Sequence, residues 1–397
     1  MSFEKAYGEY ARVFGGKPEC RVFTPYRVCP VGAHVDHQWG KISGLAIDKG
    51  VALVYTPTED GSCSLRSVNF AGPAEWNLNA IPEKKVGDWA DHLRGAAAML
   101  RRVCPLKRGL KGVMEGELPV GGLSSSAAVI LTFLTALCRL NGITLSSRQR
   151  IDLAQQAENE YVGVSCGKLD QSCEVLCRKD MLLYLDTKDD SFESIPTAAE
   201  MKPYVIGIFF SGLERSLAGS AFNMRVDECK AASYALKAFA GMEYGKYADS
   251  RLRDVPEEVF RQYADRLPEN WRRRAAHFYG ENARVTAGAE AWRKGDLETF
   301  GEIVFESGRS SIELYQTGSP ELKALYDSLR RTDGVYGGRF SGAGFKGCCM
   351  ALLDPDKADS VLETVKREYL ARFPALEEKY TAALCCSADG VAAMEED

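Results

Sequence analysis

One stretch constrains this chain more than any other: Pro119-Val120-Gly121-Gly122-Leu123-Ser124-Ser125-Ser126-Ala127-Ala128, followed by an apolar run that stops at Asn141-Gly142. The paired glycines break whatever precedes them, the serines offer N-cap oxygens, and the apolar run predicts a buried helix. Glycines just before a helix let backbone approach a phosphate closely, and the unpaired N–H groups of the first turn point at it. Three successive hydroxyls can cap the helix, donate to phosphate oxygens or ligate Mg²⁺. A capped core helix needs only one serine, so three serines with two glycines favour phosphate binding over capping alone. No GxxxxGK[ST] occurs, which excludes a P-loop nucleotidase.

A chain of 397 residues has room for two packed domains. Its net charge of -5 argues against a nucleic-acid partner, which calls for a basic footprint. No apolar run approaches the roughly 18 residues that span a bilayer, and MSFEKAYGEY lacks a signal-peptide core. The expectation is a soluble cytoplasmic protein with no membrane partner, monomeric or weakly homo-oligomeric. The 13 cysteines are scattered without a CxxC pair and only four histidines are present, so free, mostly buried thiols are expected rather than zinc or disulfides.

Periodicity predicts strands at 21–29, 46–55, 181–185, 204–210 and 348–353. It predicts helices at 89–102, 147–161, 223–239, 321–331 and 357–369, with a charged helical region over 255–305. The character shifts near Pro203, which suggests one domain over 1–200 and a second over 201–397. Within a glycine-rich loop at 334–347, Gly342-Ala343-Gly344-Phe345-Lys346-Gly347 matches GxGxxG letter for letter. A dinucleotide fingerprint needs a helix after the glycines, whereas 348–353 reads as a strand. A tight loop beside an active site fits better.

Two further segments carry chemistry. Thr24-Pro25-Tyr26-Arg27-Val28-Cys29-Pro30-Val31-Gly32-Ala33-His34-Val35-Asp36-His37 places a fixed cation, an imidazole and a carboxylate at a strand-to-loop exit. A carboxylate accepting two vicinal hydroxyls is a common sugar grip; the alternative is solvated loop polars with a structural arginine. Gly167-Lys168-Leu169-Asp170-Gln171 puts one acid in a short loop between a helix and a strand.

Together these four segments resemble the galactokinase branch of the GHMP kinases, which also include homoserine, mevalonate and phosphomevalonate kinases. Galactokinases carry Gly-Arg-Val-Asn-Leu-Ile-Gly-Glu-His-Thr-Asp-Tyr, matched here by Arg27-Val28, Gly32, His34 and Asp36. Their serine loop matches Gly122 to Ala128, their Gly-Ile-Met-Asp-Gln matches Gly167 to Gln171, and their glycine-rich third motif matches Gly337 to Cys348. The motifs fall in family order across nearly the whole chain. The resemblance implies an α+β, two-domain GHMP kinase fold: an N-terminal α/β domain of ribosomal-S5-like topology and a C-terminal ferredoxin-like α+β domain. It implies ATP and Mg²⁺ as cofactors and a small sugar or uronic acid as substrate.

By the same resemblance, Asp170 takes or aligns the proton of the anomeric hydroxyl, and Arg27 keeps it ionised and neutralises charge in transit. His34 and Asp36 hold sugar hydroxyls. Gly121, Gly122, Leu123, Ser124, Ser125 and Ser126 cradle ATP. Ser126 and Glu158 hold the metal, Glu158 having a solvated helix face as its alternative. Trp89 matches an adenine-side tryptophan, with a core tryptophan as its alternative.

The departures narrow the sugar. Ala33 stands where galactokinases carry a glutamate that bonds the 6-hydroxyl, Tyr26 replaces a glycine, and Lys346 replaces a glycine of the third motif. Against a C6 carboxylate that glutamate would be repulsive: like charges about 4 Å apart cost about 4 kcal/mol at an effective dielectric near 20. The alanine, a shortened serine loop and the basic residue at 346 also resemble plant galacturonokinases, although those carry tyrosine where Phe222 stands. Lys346, Arg215, Tyr26 and His37 are candidates to meet a uronate carboxylate. The expected activity is therefore galacturonate 1-phosphorylation, with galactose phosphorylation as the alternative. A catalytically inactive sugar sensor is a third reading, which the presence of Arg27, Asp170 and the serine loop argues against. Ala33→Glu is expected to raise the galacturonate KM far more than it weakens ATP binding; an unchanged KM refutes this placement of residue 33.

Overall fold

Residues Lys41–Thr58 form one strand of 18 residues, longer than its alternating core suggested, and four other strands pair with it. The computed structural model describes residues 3–213 and 218–394. The chain begins with α1 (Glu4–Phe14), β1 (Cys20–Val28), this long β2, β3 (Ser62–Ser67), β4 (Ala74–Asn77), α2 (Asp91–Val103) and β5 (Gly109–Gly116). It continues through α3 (Ser125–Asn141), α4 (Ser147–Gln156), α5 (Leu169–Leu176), β6 (Met181–Asp186), β7 (Ser191–Pro196) and β8 (Val205–Phe210). Then follow α6 (Ala218–Phe239), α7 (Glu257–Tyr263), α8 (Glu269–Arg293), α9 (Leu297–Glu313) and α10 (Pro320–Arg331). The described chain closes with β9 (Val335–Phe340), β10 (Cys348–Leu353), α11 (Ala358–Arg372), β11 (Thr381–Cys385), β12 (Ser387–Ala388) and a last short helical turn.

The first sheet has the order β4-β3-β5-β2-β6-β7, with β1 and β12 also pairing with β2. Only the β3–β5 pair among these is parallel. The second sheet, β11-β8-β10-β9, is antiparallel throughout. The mixed α+β architecture is the one expected. One apolar core joins β1, β2, α2 and α3 to the inner residues of the second sheet, including Ile206, Ile208, Met350 and Leu352. The opposite face of that second sheet packs Phe209, Cys349 and Leu353 against Leu322, Leu325 and Leu329 of α10 and Val361 and Val365 of α11. Burying apolar area on both faces of a four-stranded sheet is what makes so short an array stable.

Three local expectations need correction. Asp170 lies in the first turn of α5, not in a loop, because the N-terminal amide of Leu169 finds an acceptor in the distant Asp36 (3.0 Å). The expected glycine-rich loop at 334–347 contains β9, since Gly337 and Gly338 pair with Leu352 and Ala351 of β10. The helix expected at 147–161 is α4 followed by a π-helical turn, Ala157–Val162. The GxGxxG segment joins β9 to β10 and no helix follows it, so the dinucleotide reading is excluded.

Helix α8 reaches across to the loop after β1. Glu281 accepts from the Gly32 amide (2.8 Å), His277 Nε2 lies 3.1 Å from the Ala33 carbonyl oxygen, and Asn282 accepts from the Lys41 amide (2.7 Å). Glu281 is fully buried and pairs with the equally buried Arg339 at 3.3 Å and with Arg284 at 2.8 Å. Burial alone would raise its pKa; Arg284, His277 and Arg339 outweigh that and bring it from the ordinary 4.5 to about 2. A carboxylate depressed in this way stabilises the fold fully above about pH 4.5, and that stability is lost as pH falls through about 2. Glu281→Leu is expected to destabilise the protein by about 3–5 kcal/mol in urea unfolding, because Arg339 is left buried beside an uncompensated charge deficit. Glu281→Gln is expected to flatten the loss of stability between about pH 4.5 and 2.

Candidate active site

β1 alternates its side chains between the two faces of the sheet, so Arg27 and Cys29 emerge on one side and Tyr26 and Val28 on the other. Arg27 and Cys29 line a cavity of about 430 Å³, whereas Tyr26 and Val28 enter the apolar core. The other walls come from Ala33, His34 and Asp36, the serine loop, Glu158, residues 162–170, Leu213 with Phe222, and the glycine-rich loop.

Arg27 is the centre of the site. Its Nε and Nη2 donate to one oxygen of Asp170 at 3.0 and 2.6 Å, and its Nη1 donates to the Gly122 carbonyl (3.2 Å) and Ser341 Oγ (3.3 Å). Arg27 is 2% exposed and Asp170 28%, so the carboxylate faces the cavity while the cation behind it does not. Burial works against the guanidinium charge, but Asp170 prevails and the Arg27 pKa is raised. A carboxylate held by a fixed cation and facing open space is positioned to accept a proton from a bound hydroxyl.

Asp36 accepts the Leu169 amide and so holds the start of α5. A Cβ on Gly167 would lie 2.2 Å from Asp36 Oδ2, which makes glycine obligatory there. Burial raises the Asp36 pKa to about 6; the Leu169 and His37 amides favour the anion, and Asp170 opposes it. One turn beyond Asp170, Glu174 is fully buried with neither carboxyl oxygen hydrogen-bonded, and burial pushes its pKa well above the usual range.

The serine loop does not cap α3. Ser124 takes φ 59°, and its buried Oγ has no partner. Ser125 and Ser126 open the helix and line the cavity, with the unpaired amides of the first turn beside them. The backbone of this loop rests on the backbone of the third motif: a Cβ on Gly347 would meet Gly121 C at 2.7 Å, and one on Gly122 would meet the Cys348 amide nitrogen at 3.0 Å. Across the cavity Glu158, on the π-helical turn, accepts from Gln171 Nε2 (2.5 Å) and Cys166 Sγ (3.3 Å). A hydroxyl and a carboxylate facing the same cavity are hard oxygen donors suited to Mg²⁺, and no group of three or more His, Cys, Asp and Glu among the described residues forms a protein-only metal cage.

Several expected residues lie elsewhere. Leu123 buries its side chain in the core, and Trp89 packs against the core edge with Nε1 3.3 Å from the Gly72 carbonyl, so neither side chain lines the cavity. His37 lies behind the wall, with Nε2 3.0 Å from Tyr315 Oη. Lys346 and Phe222 do line it, and Arg215 falls outside the described residues. Sequence reasoning missed Cys29, His92, Cys166, His277 and Tyr315. Cys29 was within reach, since it shares the parity of Arg27; His277 and Tyr315 arrive only through tertiary packing.

Ser125 and Ser126 at the start of α3 and the Arg27–Asp170 pair thus face one cavity on a two-sheet scaffold. The N-terminal domain pattern of the GHMP kinases matches residues 91–178 and their C-terminal pattern matches residues 289–371. The chain belongs to the GHMP kinase family. It is 38% identical over 374 residues to a galacturonokinase of Arabidopsis thaliana, covering 89% of this chain and 88% of that one. It is 31% identical over 380 residues to a galactokinase of Roseiflexus sp., covering 95% and 94%. The structure of Lactococcus lactis galactokinase complexed with galactose superimposes with a TM-score of 0.88 at 27% identity, covering 97% of each chain. Among the described residues no helix is long and apolar enough to cross a membrane.

Arg27→Lys is expected to lower kcat about 10²–10³-fold, because a point ammonium cannot hold Asp170, Gly122 and Ser341 together. ADP release measured beside ATP affinity checks this: affinity is expected to change far less than kcat.

Proposed function

We propose that this chain transfers the γ-phosphate of ATP to the anomeric hydroxyl of D-galacturonate. The transfer reading is supported by the Asp170 carboxylate facing the same cavity as the start of α3. The anomeric hydroxyl lies against Asp170, which aligns it and accepts its proton as the oxygen attacks phosphorus. Arg27 fixes the Asp170 carboxylate in place and offsets negative charge as the phosphoryl group moves; positioning and charge stabilisation are most of what this chemistry demands. The ATP phosphates rest on the first-turn amides of α3 with Ser125 and Ser126, beside Gly121 and Gly122. Ser126 and Glu158 would hold Mg²⁺, whose contribution is to neutralise phosphate charge. Trp89, which precedes α2, does not reach the cavity, so the nucleotide base is better served by His92, in the first turn of α2 and on the wall.

One observation carries the choice of sugar. At the wall formed by Ala33, His34, Phe222 and Leu213, the residue that would oppose a C6 carboxylate has no charge. The relationship to the Arabidopsis galacturonokinase supports the same choice. The proposal extends to the division at about residue 200, supported by the second sheet opening at Val205, and to a cytoplasmic monomer or weak homo-oligomer. ADP release with galacturonate, glucuronate and galactose in parallel tests the substrate. Galacturonate is expected to give the highest kcat/KM; faster turnover of galactose would replace this reading with galactokinase.

A further inference from the structure

A glutamate side chain ends in a soft torsion, about which its carboxylate turns almost freely. Glu158 is denied that freedom. Its Oε2 accepts from Gln171 Nε2 at 2.5 Å and from Cys166 Sγ at 3.3 Å, and those two donors lie 3.8 Å apart. Glu158 and Cys166 line the cavity, whereas Gln171 is fully buried behind it. The Gln171 amide therefore bears on the cavity only through the carboxylate it holds.

The surrounding backbone keeps this grip in place. After α4 the helix widens over Ala157–Val162, and the Gly163 amide closes on the Glu158 carbonyl, five residues back, at 2.8 Å. Such π-turns are rare and cluster at functional sites. The loop that follows folds back on the same turn. Asn159 Oδ1 accepts the Cys166 amide at 3.0 Å, while Asn159 Nδ2 and Gln155 Nε2 donate to the Cys166 carbonyl at 3.3 and 3.2 Å. Cys166 is thus held through its N–H, its C=O and its Sγ. On α5 successive residues point about 100° apart, so Asp170 faces the cavity while Gln171 turns to Glu158. One helix start carries both the acid of the Arg27 pair and the amide on Glu158.

We propose that Gln171 and Cys166 are positioning residues for a divalent cation: together they hold the Glu158 carboxylate ready for the metal that accompanies ATP. The inference rests on the reading of Glu158 as a metal ligand given above. Partners behind a ligand orient it, and a carboxylate already oriented loses less freedom when the cation arrives. Part of the metal's affinity therefore resides in two side chains that need not touch it. Without Gln171 the torsion is released and the buried carboxylate loses its shorter hydrogen bond.

Calorimetric titration of the full chain with adenylyl imidodiphosphate, a non-hydrolysable ATP analogue, tests this when run with Mg²⁺ and again with EDTA. The ratio of the metal-free Kd to the Mg²⁺ Kd reads the cation's contribution to binding. The wild type is expected to bind more tightly with Mg²⁺, and Glu158→Gln is expected to lose that gain. Gln171→Leu is expected to lower the ratio about tenfold, as loss of a ligand's outer partner does, while leaving the metal-free Kd unchanged. Cys166→Ala is expected to lower the ratio less. A ratio lost in Glu158→Gln but intact in Gln171→Leu overturns the inference and leaves the metal reading standing. Equal weakening of both Kd values in Gln171→Leu also overturns it, by making the amide a merely structural support. Thermal unfolding checks each variant; should Gln171→Leu not fold, Cys166→Ala decides, and an unchanged ratio there overturns the inference. No tightening by Mg²⁺ in the wild type, or a gain that survives in Glu158→Gln, removes the metal reading and this inference together.

Discussion

A single guanidinium holds this site together. Arg27 leaves β1 and reaches Asp170 on α5, Gly122 in the serine loop and Ser341 at the end of β9, four segments spread over most of the chain. Taking such a cation out of water costs several kcal/mol, and the cost is met only while every partner is in place. Site geometry and local folding are thus one requirement: the arrangement that fixes Asp170 beside the serine loop is also the one that makes Arg27 tolerable in the interior.

The sugar end depends on the other half of the chain. The loop from Pro30 to Gly40 has no regular partner strand for most of its length, and besides its own turns it is tied to α8 by Glu281 and His277, with Asn282 holding the Lys41 amide where β2 begins. Tyr315, just beyond α9, then orients the imidazole that the loop presents. Ala33, His34 and Asp36 on the cavity wall come from the first third of the sequence, while the α8 residues that hold their loop come from the last.

The motifs were legible because their chemistry is local. Glycines before serines before an apolar run announce a helix start, which the structure places on the cavity wall, and Arg27 with Asp36 announce a polar loop. The helical placement of Asp170 was not legible, because Leu169–Leu176 has eight residues and its first amide is capped by an aspartate far away in sequence. Strands β3, β4, β5, β7 and β11 escaped notice for a related reason: they are short, and Gly109, Gly112 and Gly116 dilute the alternation of β5. Their register is set by β2, β6 and β8 beside them. Tyr26 and Trp89 show the reverse error. Family position suggested the site, but strand parity sent one into the core and packing turned the other towards Gly72.

The seam where Gly121 and Gly122 lie against Gly347 and Cys348 has a historical consequence. With no side chain to yield on the glycine side, a larger residue on one loop can be admitted only if the other loop retreats. Single substitutions there are barred from both directions. Descendants of this sequence must keep the pair together or rebuild both loops in concert, so the two segments should drift as one heritable unit although more than two hundred residues separate them.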